Sequence, residues 1–327
     1  MKELDCFASR SSGAAVLDYY RLHWQPFGVT PDPRYLYLSS THRRALGSLA
    51  YGIEAARGFL VLTAEPGLGK TTLLFLLLAR LGRSARTAFV FQAPRNPREF
   101  LLYLLADLGI EAGDQDVTAI EQRVRETVVG ETRSGGRLVV VIDEAHILQS
   151  PVFETLLRLA DLEAPRNRSL QVLMAGQSEL VDKLAQPALA RFRQHVSIMA
   201  RLEPLTATES DRYIDHRLRM AGHSGDRVFT SDACEVIAGW SEGIPRKINN
   251  ICFNALLRGY ARKRESIDSS IIKDAIADLD WADAETEPRN SLRSKLTAMR
   301  EGELNEAEKS TPQAWFARHS SADAAQI

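Results

Sequence analysis

Cysteine is scarce in this sequence, three in 327 residues. Cys6, Cys234 and Cys252 are too far apart to form a metal knuckle or a disulfide framework. That usage suits a reducing compartment, so a cytoplasmic protein is expected, at most peripheral at the inner face of a membrane. Long hydrophobic runs are missing as well. The longest, Leu73–Ala79, falls far below the ~18 residues a membrane helix requires, so no direct membrane insertion is expected. Met1-Lys2-Glu3-Leu4-Asp5 lacks the apolar segment of a secretory signal. Nor is there an excess of charge: 41 Lys and Arg against 42 Asp and Glu leave −1. This excludes coating of nucleic acid by bulk electrostatics but leaves room for a local basic patch. What remains, 45% hydrophobic and 25% charged, is ordinary globular composition, and the length suggests about two domains.

The first eighteen residues are small and polar and read as a poorly ordered leader. From Tyr19 the chain turns aromatic, and Pro31-Asp32-Pro33 enforces a turn. Leu46, Leu49 and Ile53 predict an amphipathic helix over Thr41–Ala56 with Thr41 as N-cap. Short apolar strands then alternate with helices. Strands are predicted at Phe59–Thr63, Thr87–Gln92, Leu138–Ile142, Leu170–Ala175 and Val196–Leu202. Helices are predicted at Thr71–Leu81, Arg98–Leu108, along Val117, Ile120, Val124 and Val128, at Phe153–Leu162 and at Glu179–Ala185. This alternation means a parallel α/β sheet. After Pro204 the strands stop. Thr206 and Glu209 have capping-box spacing, Thr230–Trp240 reads as a second helix, Pro245 opens a third, and Asp268 or Ser269 caps a fourth. The expected organisation is a leader (1–18), an α/β core (19–203), a helical lid (204–280) and a polar tail (281–327). In the tail, Leu292, Leu296 and Met299 allow one short amphipathic helix.

Two half-motifs carry chemistry. Ala64-Glu65-Pro66-Gly67-Leu68-Gly69-Lys70-Thr71-Thr72 follows an apolar strand and opens a helix, which is the context a phosphate loop requires. Glycines 67 and 69 let successive N–H groups turn inward, the helix N-terminus adds its dipole, Lys70 reaches the β- and γ-phosphates, and Thr71 ligates Mg²⁺. Ala64 replaces the first glycine of the strict pattern. The second half is Leu138–Ile142, which carries Asp143 to a strand end where it can hold the Mg²⁺ shell. Glu144 is then placed to orient and deprotonate the attacking water. The pair predicts an ATP-handling protein. Asp143-Glu144-Ala145-His146 also spells the box of DEAH helicases, but no second helicase domain follows. His146 reads as a solvated strand-end residue.

With these motifs in hand the sequence resembles the AAA+ ATPases of the general secretion pathway protein A type, which include stand-alone ATPases of pilus and exopolysaccharide loci. The likeness runs from about Tyr19 to Leu279. It rests on Gln25-Pro26-Phe27, on Pro31–Tyr37, on both half-motifs, and on Ala175-Gly176-Gln177-Ser178-Glu179-Leu180. It continues through Leu202-Glu203-Pro204-Leu205 and Gly243-Ile244-Pro245-Arg246-Lys247-Ile248-Asn249-Asn250. The resemblance implies an αβα P-loop core with a small all-α lid, and nucleotide at their junction, often between subunits of a homo-oligomer. It also places Gln177 as sensor 1, Arg246 as sensor 2, Arg193 as the first-ranked arginine finger, ahead of Arg191 and Arg201, and His42 against the adenine. Where relatives commonly read Arg-Gln-Arg, this chain has Arg193-Gln194-His195. The family's membrane-anchored members carry a transmembrane helix and a wall-binding domain; neither is found in this sequence, and wall anchoring is not expected.

Three readings of function follow. The first is a Mg²⁺-dependent ATPase that powers or gates assembly of a protein partner, secretion- or envelope-associated. The second is an ATP-gated nucleic-acid-binding adaptor of the transposition-helper kind, resting on Arg258, Arg262, Lys263 and Arg264. It is not favoured, because cations at a helix C-terminus also complement the dipole. The third is a slow nucleotide switch weakened by His195. Trp315-Phe316 is a weak candidate peptide anchor.

Overall fold

The computed structural model describes residues 12–91, 94, 96–111, 116–160 and 169–285. In chain order its regular elements begin with helices α1 (Ser12–Tyr19) and α2 (Ser40–Glu54), strand β1 (Phe59–Thr63), α3 (Lys70–Leu81) and β2 (Arg86–Val90). Next come α4 (Pro97–Asp107), α5 (Val117–Arg133), β3 (Leu138–Ile142), α6 (Ser150–Ala160) and β4 (Leu170–Gly176). The series closes with α7 (Glu179–Ala185), α8 (Ala190–His195), β5 (Val196–Arg201), α9 (Ala207–Met220), α10 (Ser231–Ser241), α11 (Pro245–Ala261) and α12 (Ser269–Glu285). No helix among the described residues is long and apolar enough to cross a membrane.

The described residues form two compact units. One comprises 40–66 with 70–203, the other 12–39 with 67–69 and 204–285. The first is an α/β unit built on a five-stranded parallel sheet in the order β2-β3-β4-β1-β5. Every residue of β1, β3 and β4 is buried, as expected for central parallel strands covered on both faces, and their sequences are correspondingly apolar except for Thr63 and Gln171. Edge strand β5 alternates, leaving Met199 half-exposed. Helix α3 buries Leu73, Leu74, Leu77, Leu78 and Leu81 on one face, with Phe75 and Leu76 partly buried beside them. Gly52 lets α2 ride directly on the sheet, since a Cβ there would overlap Leu60 Cδ2 and Ile198 Cδ1.

Thr63 of β1 lies opposite Gly176 of β4, and Ile142 of β3 opposite Met174. The carboxyl ends of three adjacent strands therefore emerge together. After β1 the chain leaves the middle of the sheet for its β2 edge. A crevice outside the strand carboxyl ends beside such a crossing is where open α/β sheets bind ligands.

The helical unit departs from the sequence reading at its N-terminal part. Residues 12–18, expected as leader, belong to α1, and Tyr19–Ser39, expected in the α/β core, pack among α9–α12. The reason is aromatic burial: Tyr20, Leu22, Phe27 and Tyr35 share one core with Ile214, Phe229, Ile251 and Ile271. Arg217 of α9 ties the segment down. It donates from Nε to Pro26 O and from Nη2 to Gly28 O (3.1 Å), with its guanidinium 4.7 Å from the Tyr35 ring centroid. Tyr20 Oη donates to Arg264 O (3.0 Å). The caps read from sequence are present at Thr206 with Glu209 and at Asp268, which accepts from the N–H groups of Ser270 and Ile271, while Thr230, expected as the first residue of its helix, caps it. Thr41 lies inside α2 instead of capping it; its hydroxyl accepts from Glu203 N–H. Helix α12 runs five residues past the expected boundary at 280. Leu292, Leu296, Met299 and Trp315-Phe316 lie outside the described residues.

Candidate active site

The loop after β1 turns through Gly67 and Gly69, at φ +85° and +86°. Residues with a Cβ rarely adopt this left-handed backbone, which is why glycine stands at both positions. Gly67 O accepts the N–H of Arg246 (3.2 Å), and a Cβ at Gly67 would come 2.8 Å from Arg246 Cβ and 3.1 Å from Ile244 Cγ2. Ala64 is buried and its N–H donates to Gly176 O (3.1 Å), extending the β1–β4 ladder by one residue. A small side chain suits that place, so the missing first glycine costs the loop nothing visible.

Lys70 and Thr71 open α3, whose N-terminus points out of the sheet's carboxyl edge. Lys70 is buried, with Nζ 3.1 Å from Glu144 Oε1 and 3.8 Å from Asp143 Oδ1. Thr71 Oγ1 donates to Asp143 Oδ2 (2.7 Å). Four residues named from two sequence segments over seventy positions apart thus meet at one point. Burial raises the Asp143 pKa above the ordinary carboxylate value, opposed by the Thr71 hydroxyl and by the Lys70 charge.

Glu144 has φ +51° and ψ +35°, a left-handed conformation that carries strain in a residue with a Cβ. Two contacts hold the turn in place. Glu144 N–H donates to Asp143 Oδ1 (2.9 Å), and Lys183 of α7 donates from Nζ to His146 O and Leu148 O (2.8 Å to the latter). Burial lowers the Lys183 pKa. Sequence reasoning missed Lys183, and no local signal marks it, since its partners lie 35 and 37 residues away. His146 was also misread. Its side chain is 16% exposed, Nδ1 sits 3.4 Å from Glu144 Oε2, and that buried nitrogen has no hydrogen-bond partner among the described residues. A 3-10 turn over Ala145–Ile147 folds the imidazole back beside the carboxylate instead of into solvent.

The remaining candidates lie outside the Lys70–Thr71–Asp143–Glu144 cluster, and of them Arg246 touches the loop through its N–H to Gly67 O. Gln177 is half-buried, immediately beyond β4. His42 is buried within α2. Arg193 is exposed on α8 and donates from Nη1 to Ala185 O (3.2 Å), and the His195 ring lies 6.3 Å from that of Phe59. Arg246 is exposed at the start of α11. Of the basic cluster, Arg258 pairs with Asp278 and Arg262 with Asp274 (2.6 Å) on α12.

Within the α/β unit, a buried ammonium, one hydroxyl and two carboxylates combine a cationic group that suits an anion with oxygen donors that suit a hard cation. Among the described residues no group of three or more His, Cys, Asp and Glu could hold a metal alone. That donor set fits Mg²⁺, which takes one or two protein ligands and fills its shell with water and phosphate oxygens.

Comparison with known proteins agrees with this geometry. Residues 53–184 match the family model of an AAA domain. The chain is 34% identical over 250 residues to general secretion pathway protein A of Aeromonas hydrophila, covering 76% of this chain and 46% of that protein, so it spans about half the length of that relative. Among solved structures, an origin recognition complex from Drosophila bound to DNA superposes with a TM-score of 0.62 at 15% identity, covering 93% of this chain and 73% of that one. The Aeropyrum pernix ORC2 protein gives 0.58 at 15% identity, covering 77% and 71%. At such identities the likeness establishes the fold. The five-stranded parallel sheet, the loop into α3 and the sequence match together identify an AAA domain over residues 53–184, in a chain similar to general secretion pathway protein A.

Proposed function

We propose that the chain is a Mg²⁺-dependent ATPase whose nucleotide cycle powers or gates assembly of a protein partner, associated with secretion or the cell envelope. The observation that carries the reading is the meeting of Lys70, Thr71, Asp143 and Glu144 at the carboxyl edge of the sheet. The N–H groups of residues 65–71 bind the phosphates, and Lys70 exchanges its carboxylate partners for phosphate oxygens. Thr71 and Asp143 would hold Mg²⁺, which when bound neutralises charge on the phosphate oxygens. Glu144, released from Lys70 by that exchange, orients a water and takes its proton. Gln177 positions the water from the adjoining strand end, Arg246 reads the γ-phosphate, and His42 contacts the base.

Arg193, held by a single carbonyl of its own chain, is the candidate finger for a neighbouring subunit of a homo-oligomer. A finger is worth roughly 10³–10⁵ in rate, so with His195 beside it instead of a second arginine, slow turnover is expected. Similarity to a protein named for the general secretion pathway supports the association with secretion. The adaptor reading is weakened because Asp278 and Asp274 already neutralise two of its four cations.

The test is steady-state ATP hydrolysis against protein concentration for the wild type and Glu144→Gln. The variant should bind nucleotide and lose at least about 10²-fold in rate. Turnover per subunit should rise with concentration; a flat profile would remove Arg193 from the mechanism. Hydrolysis that survives in Glu144→Gln would remove the base assignment, and DNA retention falling steeply with salt would favour the adaptor.

A further inference from the structure

Helix α11 buries most of its surface within the helical unit and leaves one stripe partly exposed, with the Tyr260 ring 5.4 Å from that of Tyr19. Phe253, Leu257 and Tyr260 are 36%, 38% and 37% exposed, and with exposed Asn250 they follow each other at spacings of three, four and three residues. That is the seam of a helix prepared for a second helix. We infer that this seam is the docking site of the chain's own C-terminal segment, Leu292–Met299.

Three observations select this occupant. First, Leu292, Leu296 and Met299 repeat the four-then-three spacing of Phe253, Leu257 and Tyr260. Second, the chain is in the right place. The ion pairs Arg262–Asp274 and Arg258–Asp278 run α12 antiparallel to α11, so that Glu285, seven residues beyond Asp278, ends level with Ile251, next to the start of the seam. The seven residues from Glu285 to Leu292 reach up to ~23 Å at ~3.3 Å each, ample for a reversal onto a groove ~10 Å away. Third, charge sets the direction. A segment returning from that end runs parallel to α11, bringing Leu292, Leu296 and Met299 to Phe253, Leu257 and Tyr260 in turn. The residues that follow, Glu301, Glu303, Glu306 and Glu308, then arrive at the basic end of α11, at Arg262, Lys263 and Arg264. Docked in this way, the segment makes the basic cluster an intramolecular partner of an acidic stretch.

The test uses the full chain carrying Cys6→Ser and Leu257→Cys, with Cys234 and Cys252 kept because both are buried. The rate of maleimide labelling at position 257 is compared with that of the same chain ended at Glu287 and with the full chain carrying Leu296→Asp. Circular dichroism checks that each is folded. Labelling of the full chain should be at least about tenfold slower than in either variant, the mark of a docked population above about nine-tenths. A full chain with Leu257→Cys and Leu296→Cys should close a disulfide within one chain, at a rate independent of protein concentration. Equal labelling rates in the three chains overturn the inference. So does protection that grows with concentration, or a disulfide between two chains, either of which gives the seam to a second copy.

Discussion

Arg217 is a buried cation with no carboxylate within ion-pair distance among the described residues. Its charge is met by Pro26 O, Gly28 O, the Tyr213 hydroxyl at 3.2 Å, and the rings of Tyr35 and Tyr213. Replacing it by methionine keeps most of the volume and removes every donor. Two hydrogen bonds from a charged group to carbonyls are worth about 1.5–3 kcal/mol each. Gly28 O keeps Asn249 Nδ2 at 3.3 Å, whereas among the described residues no other donor replaces Arg217 at Pro26 O. Relief from holding a desolvated charge offsets part of the loss. The net expectation for Arg217→Met is a destabilisation of about 3 kcal/mol, or about 12 °C in Tm at roughly 4 °C per kcal/mol for a domain of this size. Thermal and urea unfolding followed by far-ultraviolet circular dichroism measure it. A double-mutant cycle with Asn249→Ala should show coupling of about 0.5–3 kcal/mol, because both side chains serve Gly28 O. Lysine at 217 should rescue little, having neither the fork nor the plane of the guanidinium. A loss under about 1 kcal/mol, or full rescue by lysine, would mean that apolar burial alone holds the segment 22–37.

Gly52→Ala should destabilise the α/β unit by about 1–3 kcal/mol, since the added Cβ must displace Leu60 and Ile198; unchanged urea unfolding would show that α2 can lift at no cost. Asp107 accepts the Phe89 N–H (2.8 Å), and burial raises its pKa above the ordinary carboxylate value despite that bond. Between the unfolded and the raised folded pKa the native state binds the extra proton, so this group's contribution to stability falls as pH rises through that window. Asp107→Asn should therefore gain on the wild type as pH rises from about 3.9 toward neutrality; a gap that is constant with pH in denaturant melts refutes this. Burial pushes the Cys234 thiol up to about 12 and raises Cys252 as well. Neither should react with maleimide at pH 8 until the chain unfolds, and rapid native labelling of either would contradict their burial.

The sequence was most readable where local chemistry leaves little choice. Leu138–Ile142 has the same bounds in sequence and structure because a β-branched run of that length suits a doubly covered strand. Thr206, Thr230 and Pro245 marked helix starts for the same local reason. Lys70, Thr71, Asp143 and Glu144 could be named because phosphate chemistry demands those groups at fixed offsets. The placement of residues 12–39 was not readable, since it depends on contacts such as Arg217 with Pro26, 191 positions apart. Helix α8 was missed because six residues rich in Arg, Gln and His show no periodicity. The left-handed turn at Glu144 and the contact with His146 depend on Lys183, and nothing near Glu144 in sequence announces that.

The helical unit is made from both ends of the described chain, and this sets a timetable for its synthesis. Tyr20, Phe27 and Tyr35 leave the ribosome early, but Ile214, Phe229, Ile251 and Ile271 follow about 180–250 residues later. At ~5–20 residues per second, the aromatic segment waits ~10–50 s for the helices that bury it. The α/β unit lies wholly between the two parts and finishes first. For that interval the nascent chain presents a folded sheet domain preceded by an uncovered aromatic strip, the species on which a chaperone would act.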